Sequence, residues 1–448
     1  MKNYDVVIIG GSAAGVTSAI TARKYYKEKS ILLIRDLENV PIPCGIPYVY
    51  GTVLDPMKNL IPVNQMMTNS KIDMVISKAK TIDKLNKIIT TESQEAFQYD
   101  KLVIATGSSP LIPPLPGVNL ENVFSIKKDA IYLKHIQSKL SNSKKIVIIG
   151  AGFIGVEMAE ECKKFNPELE INVVEMQEHP LQLVYDLEFC LLAEKALLEQ
   201  GINFYLNEQV ESILGKASVE CVKLASGKCI DADMVILGIG AVPNIELAIE
   251  AGLEIGPMKG IQVNRYMQTS DESIYACGDC SEKKSFFDCQ PSGLRLASIA
   301  TMEARIAGAN LFHLRRSNFG VVGCFSTSLN NKAFAVAGLT EGGALAKGYQ
   351  ICVGEAESIN RHPGLMPGGA MLKVKLVFEK STGVILGGQV YGALSAGELI
   401  NAISAFVSNK MLAEDIATFQ AGTHPALTAS PIAYQLVNAA ENAIVKML

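Results

Sequence analysis

Twice in this chain an apolar run ends in glycine and turns at once into a helical pattern. Residues Tyr4 to Gly10 (YDVVIIG) lead into Gly10-Gly11-Ser12-Ala13-Ala14-Gly15, a helix over Val16 to Tyr26 and a strand at Ser30 to Ile34. Residues Lys145 to Gly150 (KIVIIG) lead into Gly150-Ala151-Gly152-Phe153-Ile154-Gly155, a helix to about Phe165 and a strand at Ile171 to Glu175. Continuous apolar strands of this kind are buried in parallel sheets. The glycines let the backbone approach a pyrophosphate, and the helix N-terminus offers it N–H groups and partial positive charge.

The two turns differ in detail. The second carries Gly150, Gly152 and Gly155, with Glu175 at the tip of its next strand. A carboxylate there accepts hydrogen bonds from a ribose 2′-hydroxyl and repels a 2′-phosphate, which favours NADH over NADPH. Met176 and Gln177 bring no positive charge to offset it. In the first turn Ser12 takes the middle glycine position and Arg35 stands where the strand-end carboxylate is expected. Asp36 beside it is assigned as the ribose ligand, with Glu38, or no carboxylate at all, as the alternatives.

At 448 residues the chain is too long for one core. The strand Asp100 to Gly107 (DKLVIATG) is followed by SSPLIPPLPG, a segment too proline-rich for helix or central strand, which reads as a connection. Ile274 to Asp279 (IYACGD) is a further strand and turn, and alternating strands at Lys373 to Phe378 and Val384 to Val390 precede a helical end. The expected fold is α/β, with two Rossmann-like dinucleotide-binding domains and a C-terminal α+β domain. We place a discontinuous first domain at 1–112 and 243–322, a second at 113–242 and the third at 323–448.

A net charge of −4 gives no electrostatic reason to bind nucleic acid or an anionic membrane. Met1 runs into a strand pattern without a basic leader, so we expect no secretory signal and a cytoplasmic location. The uncharged stretch Ile416 to Ala440 contains Pro425, Pro431, His424 and Asn438, and reads as protein rather than membrane span. Ten cysteines without framework spacing suggest mostly reduced thiols. Cys277 and Cys280 flank Gly278-Asp279 as small residues, His135, His179 and His313 read as surface, and no metal site is expected.

The ordered set GGSAAG, CGIPY, IATGSSP, GAGFIGVE, ILGIGAVPN and YACGDC resembles the pyridine nucleotide–disulfide oxidoreductases nearly end to end. It is most similar to their single-cysteine branch of coenzyme A disulfide reductases, NADH-dependent polysulfide or persulfide reductases, and NADH oxidases and peroxidases. The resemblance implies FAD at Gly10, Gly15, Thr106, Gly107 and Asp279, with a helix from near Ala297 directed at the isoalloxazine. It implies NADH at Gly150, Gly152, Gly155, Glu157, Glu175 and Gly240, with Glu157 near the nicotinamide. The third domain becomes a dimerisation domain, and the protein a homodimer.

Cys44, in Pro43-Cys44-Gly45-Ile46-Pro47-Tyr48, falls on the family's redox cysteine, with a helix after it expected to favour the thiolate. Two-cysteine relatives place a partner five residues later, here Val49, so Cys44 cycles with an external species. Oxidases of the branch carry a histidine in the first glycine turn, where this chain has Ala13, which turns the reading toward a small sulfur substrate. Arg23 and Lys24 resemble positions that meet coenzyme A phosphates. Arg361 to Gly368, however, has Leu365 and Met366 where relatives place tyrosines. Thr423-His424-Pro425 resembles the His-Pro of the two-cysteine reductases, with His424 as acid/base, although their supporting glutamate is Ala429 here. The activity expected is NADH-linked reduction of a disulfide, persulfide or polysulfide. NADH oxidase or peroxidase activity, and electron transfer to a redox protein without Cys44, stand as alternatives.

Overall fold

A computed structural model describes residues 1–363 and 365–448; Gly364, within the Arg361 to Gly368 segment, lies outside the described residues. The chain divides into two compact lobes. The first comprises Met1–Pro114, Phe124–Ser143 and Ile239–Val321, and the second Leu115–Val123, Lys144–Gly238 and Val322–Leu448.

The first lobe is built on β1 (Lys2–Ile9), β2 (Ile31–Arg35), β3 (Asp73–Ile76), β4 (Ala79–Asp83), β5 (Ile88–Thr91) and β6 (Ala96–Ile104), in the order β3-β2-β1-β6-β5-β4. The strand Ile274–Ala276 joins beside β6. Pairing is parallel from β3 to β6 and antiparallel at β4 and β5. Alternate residues of β1 serve opposite faces. Val6 and Ile8 pack with α1 (Ala13–Tyr25) and the helix Ala297–Asn310, whereas Val7 and Ile9 pack with Phe97, Ile89 and Ala248. All four are nearly inaccessible, each stabilising by about 1.5–3 kcal/mol. Alanines at 19, 22, 300, 304 and 307 let the two helices approach. A Cβ at Gly308 would lie 2.6 Å from the Ser18 carbonyl oxygen.

In the second lobe, strands Ile202–Tyr205, Glu170–Val174, Lys145–Ile149 and Met234–Leu237 lie side by side in that order, all parallel. A three-stranded antiparallel sheet follows over Val210–Leu214, Cys221–Leu224 and Cys229–Asp231. The C-terminal part is a five-stranded antiparallel sheet. Its order is Cys324–Leu329, Lys332–Gly338, Ile385–Gly392, Met371–Glu379, Ile351–Ile359. The expected α/β class and two Rossmann-like units are therefore present, with an α+β end.

One buried cation joins the parts of this lobe. The Lys375 ammonium, on Met371–Glu379, meets Asp186 at 3.0 Å, Glu188 at 2.6 Å and Glu341 at 2.8 Å. Asp186 precedes the helix Leu187–Leu198 and also accepts from the amides of Glu341 and Gly342 and from Gln389. The Ile416 to Ala440 stretch, read as protein rather than membrane span, holds a 3₁₀ turn at Pro431–Ala433 and the start of the helix Gln435–Met447. Among the described residues no helix is long and apolar enough to span a bilayer.

Lys375→Met leaves three carboxylates facing one another. Because Glu188 and Glu341 are about two-fifths exposed and can reach water, we expect a loss of about 2–3 kcal/mol, at the low end for breaking a buried ion pair. A fall in the urea midpoint without loss of far-UV helicity checks it.

Candidate functional site

The same steric device recurs in both glycine turns. A Cβ at Gly15 would run into the carbonyl oxygen of Gly10, and one at Gly155 into that of Gly150. Each helix thus starts directly on the end of its strand. Gly10 and Gly150 adopt φ of +124° and +99°, which other L-residues rarely do. Neither α1 nor the helix Phe153–Phe165 has a side-chain cap or an acidic residue in its first turn. Its first N–H groups are therefore available to an anion. A Cβ at Gly152 would meet nothing within 4 Å, so space lies over the second turn. This fits a pyrophosphate at each turn.

The strand-end residues divide the work. Glu175 accepts from the Ala151 amide through Oε2 (2.6 Å) and from the Gln177 amide through Oε1 (3.0 Å), bracing the glycine turn from the end of its strand. In the first lobe Arg35 is buried beneath its turn. It bonds the carbonyls of Leu37 and Glu38 and the Asn64 side chain, and its Cβ lies 2.7 Å from where a Gly11 Cβ would be. Asp36 and Glu38 are both exposed at the end of this strand.

Around the expected flavin residues, sequence reasoning missed the supports. Asn244 clamps Thr106 and Gly107. Its Nδ2 donates to the Thr106 carbonyl (2.9 Å), its carbonyl accepts from the Thr106 hydroxyl (2.7 Å), and its amide donates to the Gly107 carbonyl (3.0 Å). Asp279 accepts from the Ser108 hydroxyl at 2.7 Å and faces the Lys128 ammonium at 3.3 Å. Gly278 adopts φ +80°, with Ala14 Cβ 2.7 Å from where its own would be.

Beneath that turn lies a buried ion pair, Lys283 with Glu303, at 2.9 Å. Glu303 also accepts from the Gly278 amide and the Ser281 hydroxyl, and Lys283 donates to the carbonyls of Gly278 and Ser281. Because Glu303 is on the helix Ala297–Asn310, this network ties the helix that begins at Ala297 to the turn that presents Asp279. A glutamate inside an otherwise small and apolar helix was the available signal. Cys277 and Cys280 are fully buried thiols, and burial pushes both upward, Cys277 well above the usual range.

Cys44 is exposed in a 3₁₀ turn, Pro43–Gly45. The helix expected after it is a single turn, Tyr48–Gly51, so the helix dipole offers the thiol little. The turn is held by Asn59, whose Nδ2 and carbonyl pair with the Ile42 carbonyl and amide at 3.0 and 2.9 Å. Val49 is fully buried. Arg23 has a different occupation from the one expected. Its guanidinium bonds the carbonyls of Tyr26, Lys27, Lys29, Ser70 and Lys71, which stitches the end of α1 to the loop before β3. Lys24 is exposed.

In the second lobe Glu157 is not a solvated helix residue. It is half-buried, accepts a hydrogen bond from Thr327 (2.8 Å), and burial pushes its carboxyl up to about 7. Gly240, of the first lobe, has φ +103° with open space on its Cβ side. His424 is exposed; the Ala426 amide donates to its Nδ1 (3.2 Å), so the neutral ring carries its proton on Nε2. Arg361 and the amide of His362 bond the carbonyls of Leu427 and Pro425, bracing that loop. His179, expected at the surface, is half-buried against Glu194 at 2.8 Å.

Comparison with known proteins agrees with this geometry. The pattern of the pyridine nucleotide-disulphide oxidoreductase family matches residues 4–304, and that of its dimerisation domain matches 326–432. The chain belongs to this family. It is 34% identical to an NADH oxidase of Methanocaldococcus jannaschii, over 98% of this chain and 99% of that one. It is 33% identical to a CoA-dependent NAD(P)H sulfur oxidoreductase of Pyrococcus abyssi, over 87% of each. The crystal structure of an NAD-dependent persulfide reductase from A. fulgidus superposes with a TM-score of 0.89 at 29% identity, covering 99% of this chain and 83% of that one. As a member of this family the protein is a flavoprotein oxidoreductase that uses FAD with NADH or NADPH.

Two outcomes follow from the buried carboxylates. Glu303→Ala strands a buried ammonium and the Gly278 amide, so FAD should be released at least ~10-fold more readily, equivalent to about 1.4 kcal/mol. Flavin absorbance per protein after gel filtration measures it. For Glu157, the folded-state value lies above the ordinary 4.5, so wild-type stability falls as pH rises from there through about 7. Glu157→Gln should match wild type at pH 4 and exceed it by up to ~3 kcal/mol at pH 8 in denaturant melts.

Proposed function

We propose that this flavoprotein is an NADH-linked reductase of a small disulfide, persulfide or polysulfide, with Cys44 as the thiol that meets the acceptor. The observation that carries this reading is an exposed cysteine held in a braced turn of the lobe with the FAD-binding glycine turn, with a fully buried valine at the position of a second cysteine. Bound FAD supplies a two-electron relay between a nicotinamide and a thiol. Cys44, as thiolate, would attack one sulfur of the acceptor, and the other sulfur would leave and take a proton. Two electrons originating from NADH would then break the sulfur–sulfur bond on Cys44, restoring its thiolate and releasing the second acceptor half as a thiol that takes a proton.

The remaining site residues receive roles on the same basis. Gly10, Gly15, Thr106, Gly107 and Asp279 hold FAD, with Asp36 at the ribose and the helix from Ala297 directed at the ring. Gly150, Gly152, Gly155, Glu157, Glu175 and Gly240 serve the dinucleotide, and Glu175 supports NADH over NADPH by repelling a 2′-phosphate. His424, with Nε2–H outward, is a proton donor to the departing sulfur in a homodimer formed through the C-terminal domain. The five carbonyl bonds of Arg23 weigh against a coenzyme A phosphate there and favour a smaller sulfur acceptor, leaving Lys24 as the exposed cation of the pair. A cytoplasmic location accords with a reducible thiol.

The near full-length likeness to an NADH oxidase favours a second reading, with oxygen or peroxide as acceptor. Anaerobic NADH consumption with coenzyme A disulfide, polysulfide, glutathione persulfide and hydrogen peroxide, side by side, separates the two. We expect the sulfur acceptors to dominate. Cys44→Ser should lower their turnover by at least ~10³-fold, as loss of a covalent nucleophile does, while NADH still bleaches the flavin. Undiminished sulfur reduction by that variant, or turnover only with peroxide or oxygen, overturns the proposal. Glu175→Ala should narrow the preference for NADH by roughly 10-fold in kcat/KM, the scale of one lost hydrogen bond to a charged group.

A further inference from the structure

The second lobe carries a feature that the nucleotide sites do not use. Strands Cys221–Leu224 and Cys229–Asp231 form a hairpin around residues 225–228, with Cys221 opposite Asp231 and Lys223 opposite Cys229. Val222, Leu224 and Ile230 point inward to a core shared with Val210, Ile213 and Val219. Cys221 and Cys229 therefore stand together on the outward face, diagonally related across the pair. Their Cα atoms are 6.0 Å apart, within disulfide range, and the two sulfurs are bonded.

Three observations separate this pair from a structural staple. The bond closes a loop of only eight residues, the short end of the range over which a disulfide restrains the unfolded chain, so it restrains less than a bond between distant elements does. The apolar contacts lie on the opposite face, so the hairpin keeps its packing when the bond is open. Cys229 is exposed while Cys221 is half-buried, which gives an incoming thiolate one accessible sulfur and a sheltered leaving sulfur. Lys223 and Lys228 neighbour Cys229 in the hairpin, with their ammonium groups on Glu211 at 3.1 Å and over the Tyr205 ring at 4.4 Å.

We propose that Cys221 and Cys229 are a second redox-active pair, which exchanges with low-molecular-weight thiols and disulfides independently of the flavin. A thiolate RS⁻ attacks Sγ of Cys229, the sulfur–sulfur bond breaks, and its electron pair leaves on Cys221, which takes a proton. A second RS⁻ attacks the R-bearing sulfur of the mixed disulfide and releases RSSR and the Cys229 thiolate. Two thiols are oxidised to one disulfide and the protein pair is reduced by two electrons; the reverse oxidises the pair. The identification of RSH as this enzyme's own product rests on the sulfur-acceptor reading above; the exchange itself does not. On that reading the hairpin reports the ratio of thiol to disulfide that turnover sets.

The test uses the full-length, FAD-loaded protein in anaerobic glutathione buffers of stepped ratio, acid-quenched, alkylated with N-ethylmaleimide and read by peptide mass spectrometry. Wild type and Cys44→Ser should both convert from disulfide to doubly alkylated pair across a roughly hundredfold change in [GSH]²/[GSSG], as a two-electron couple does. Cys229→Ser should leave Cys221 alkylated throughout, and the double serine variant should stay folded with its flavin bound, its melting temperature lowered by no more than about 5 °C. A pair that stays oxidised, or stays alkylated, at every ratio overturns the proposal, as does Cys229 found only as a glutathione adduct. In a second arm, NADH with coenzyme A disulfide should reduce the pair in wild type and not in Cys44→Ser. Exchange in glutathione without that shift overturns the assignment of the partner, and counts against the sulfur-acceptor reading rather than the pair.

Discussion

Each nucleotide turn depends on a missing side chain. The helix after β1 rests on the Gly10 carbonyl through Gly15, and the helix Phe153–Phe165 rests on Gly150 through Gly155, at distances that leave no room for a methyl group. This contact sets the angle at which helix meets sheet and aims the first amides at one point beyond the strand end. Alanine at Gly15 or Gly155 would push the helix away from its strand. The alanine-rich interface of α1 with Ala297–Asn310 would separate with it in the first lobe.

Around those turns, buried charges do the fastening. Lys283 and Glu303 share their hydrogen bonds with the backbone of residues 278–281, so a charged pair inside the lobe acts as a clamp on a loop. Lys375 gathers three carboxylates and, through Asp186, the start of two helices. Such pairs are expensive to desolvate and are stabilising only when every remaining donor and acceptor has a partner. Backbone groups supply most of those partners: Glu303 Oε2 accepts from the Gly278 amide, Lys283 donates to two carbonyls, and Asp186 accepts from two amides. Glu157 is the contrast. It is half-buried with one hydrogen bond and no adjacent cation of its own, and its carboxyl rises toward neutrality as a result.

Much of this was legible beforehand. The βαβ units, the late strands, Glu175 at its strand tip and the small buried cysteines at 277 and 280 all follow from local pattern, because periodicity and glycine placement are local properties. The carbonyl bonds of Arg23, the brevity of the helix after Cys44, and the Cys221–Cys229 bond were not legible in the same way. Arg23 sits at the end of α1 like any solvated cation, and only the fold brings the carbonyls of Ser70 and Lys71 to it. The hairpin pair did have a signal in CVKLASGKCI, where two cysteines flank a turn on the polar side of an alternating pattern.

What the amino-acid order determined alone was the class of fold, the two dinucleotide-binding turns and the family, since these need only short-range spacing and the conformational freedom of glycine. Tertiary structure decided which polar groups remain free to act. Arg35 went into the lobe to hold its own loop, Asn244 and Lys128 arrived from distant segments to brace Thr106 and Asp279, and Thr327 reached Glu157 from another sheet. A hydrogen-bond partner more than a hundred residues away leaves no mark on local pattern, and burial, which sets both protonation and reactivity, exists only once the chain has closed on itself.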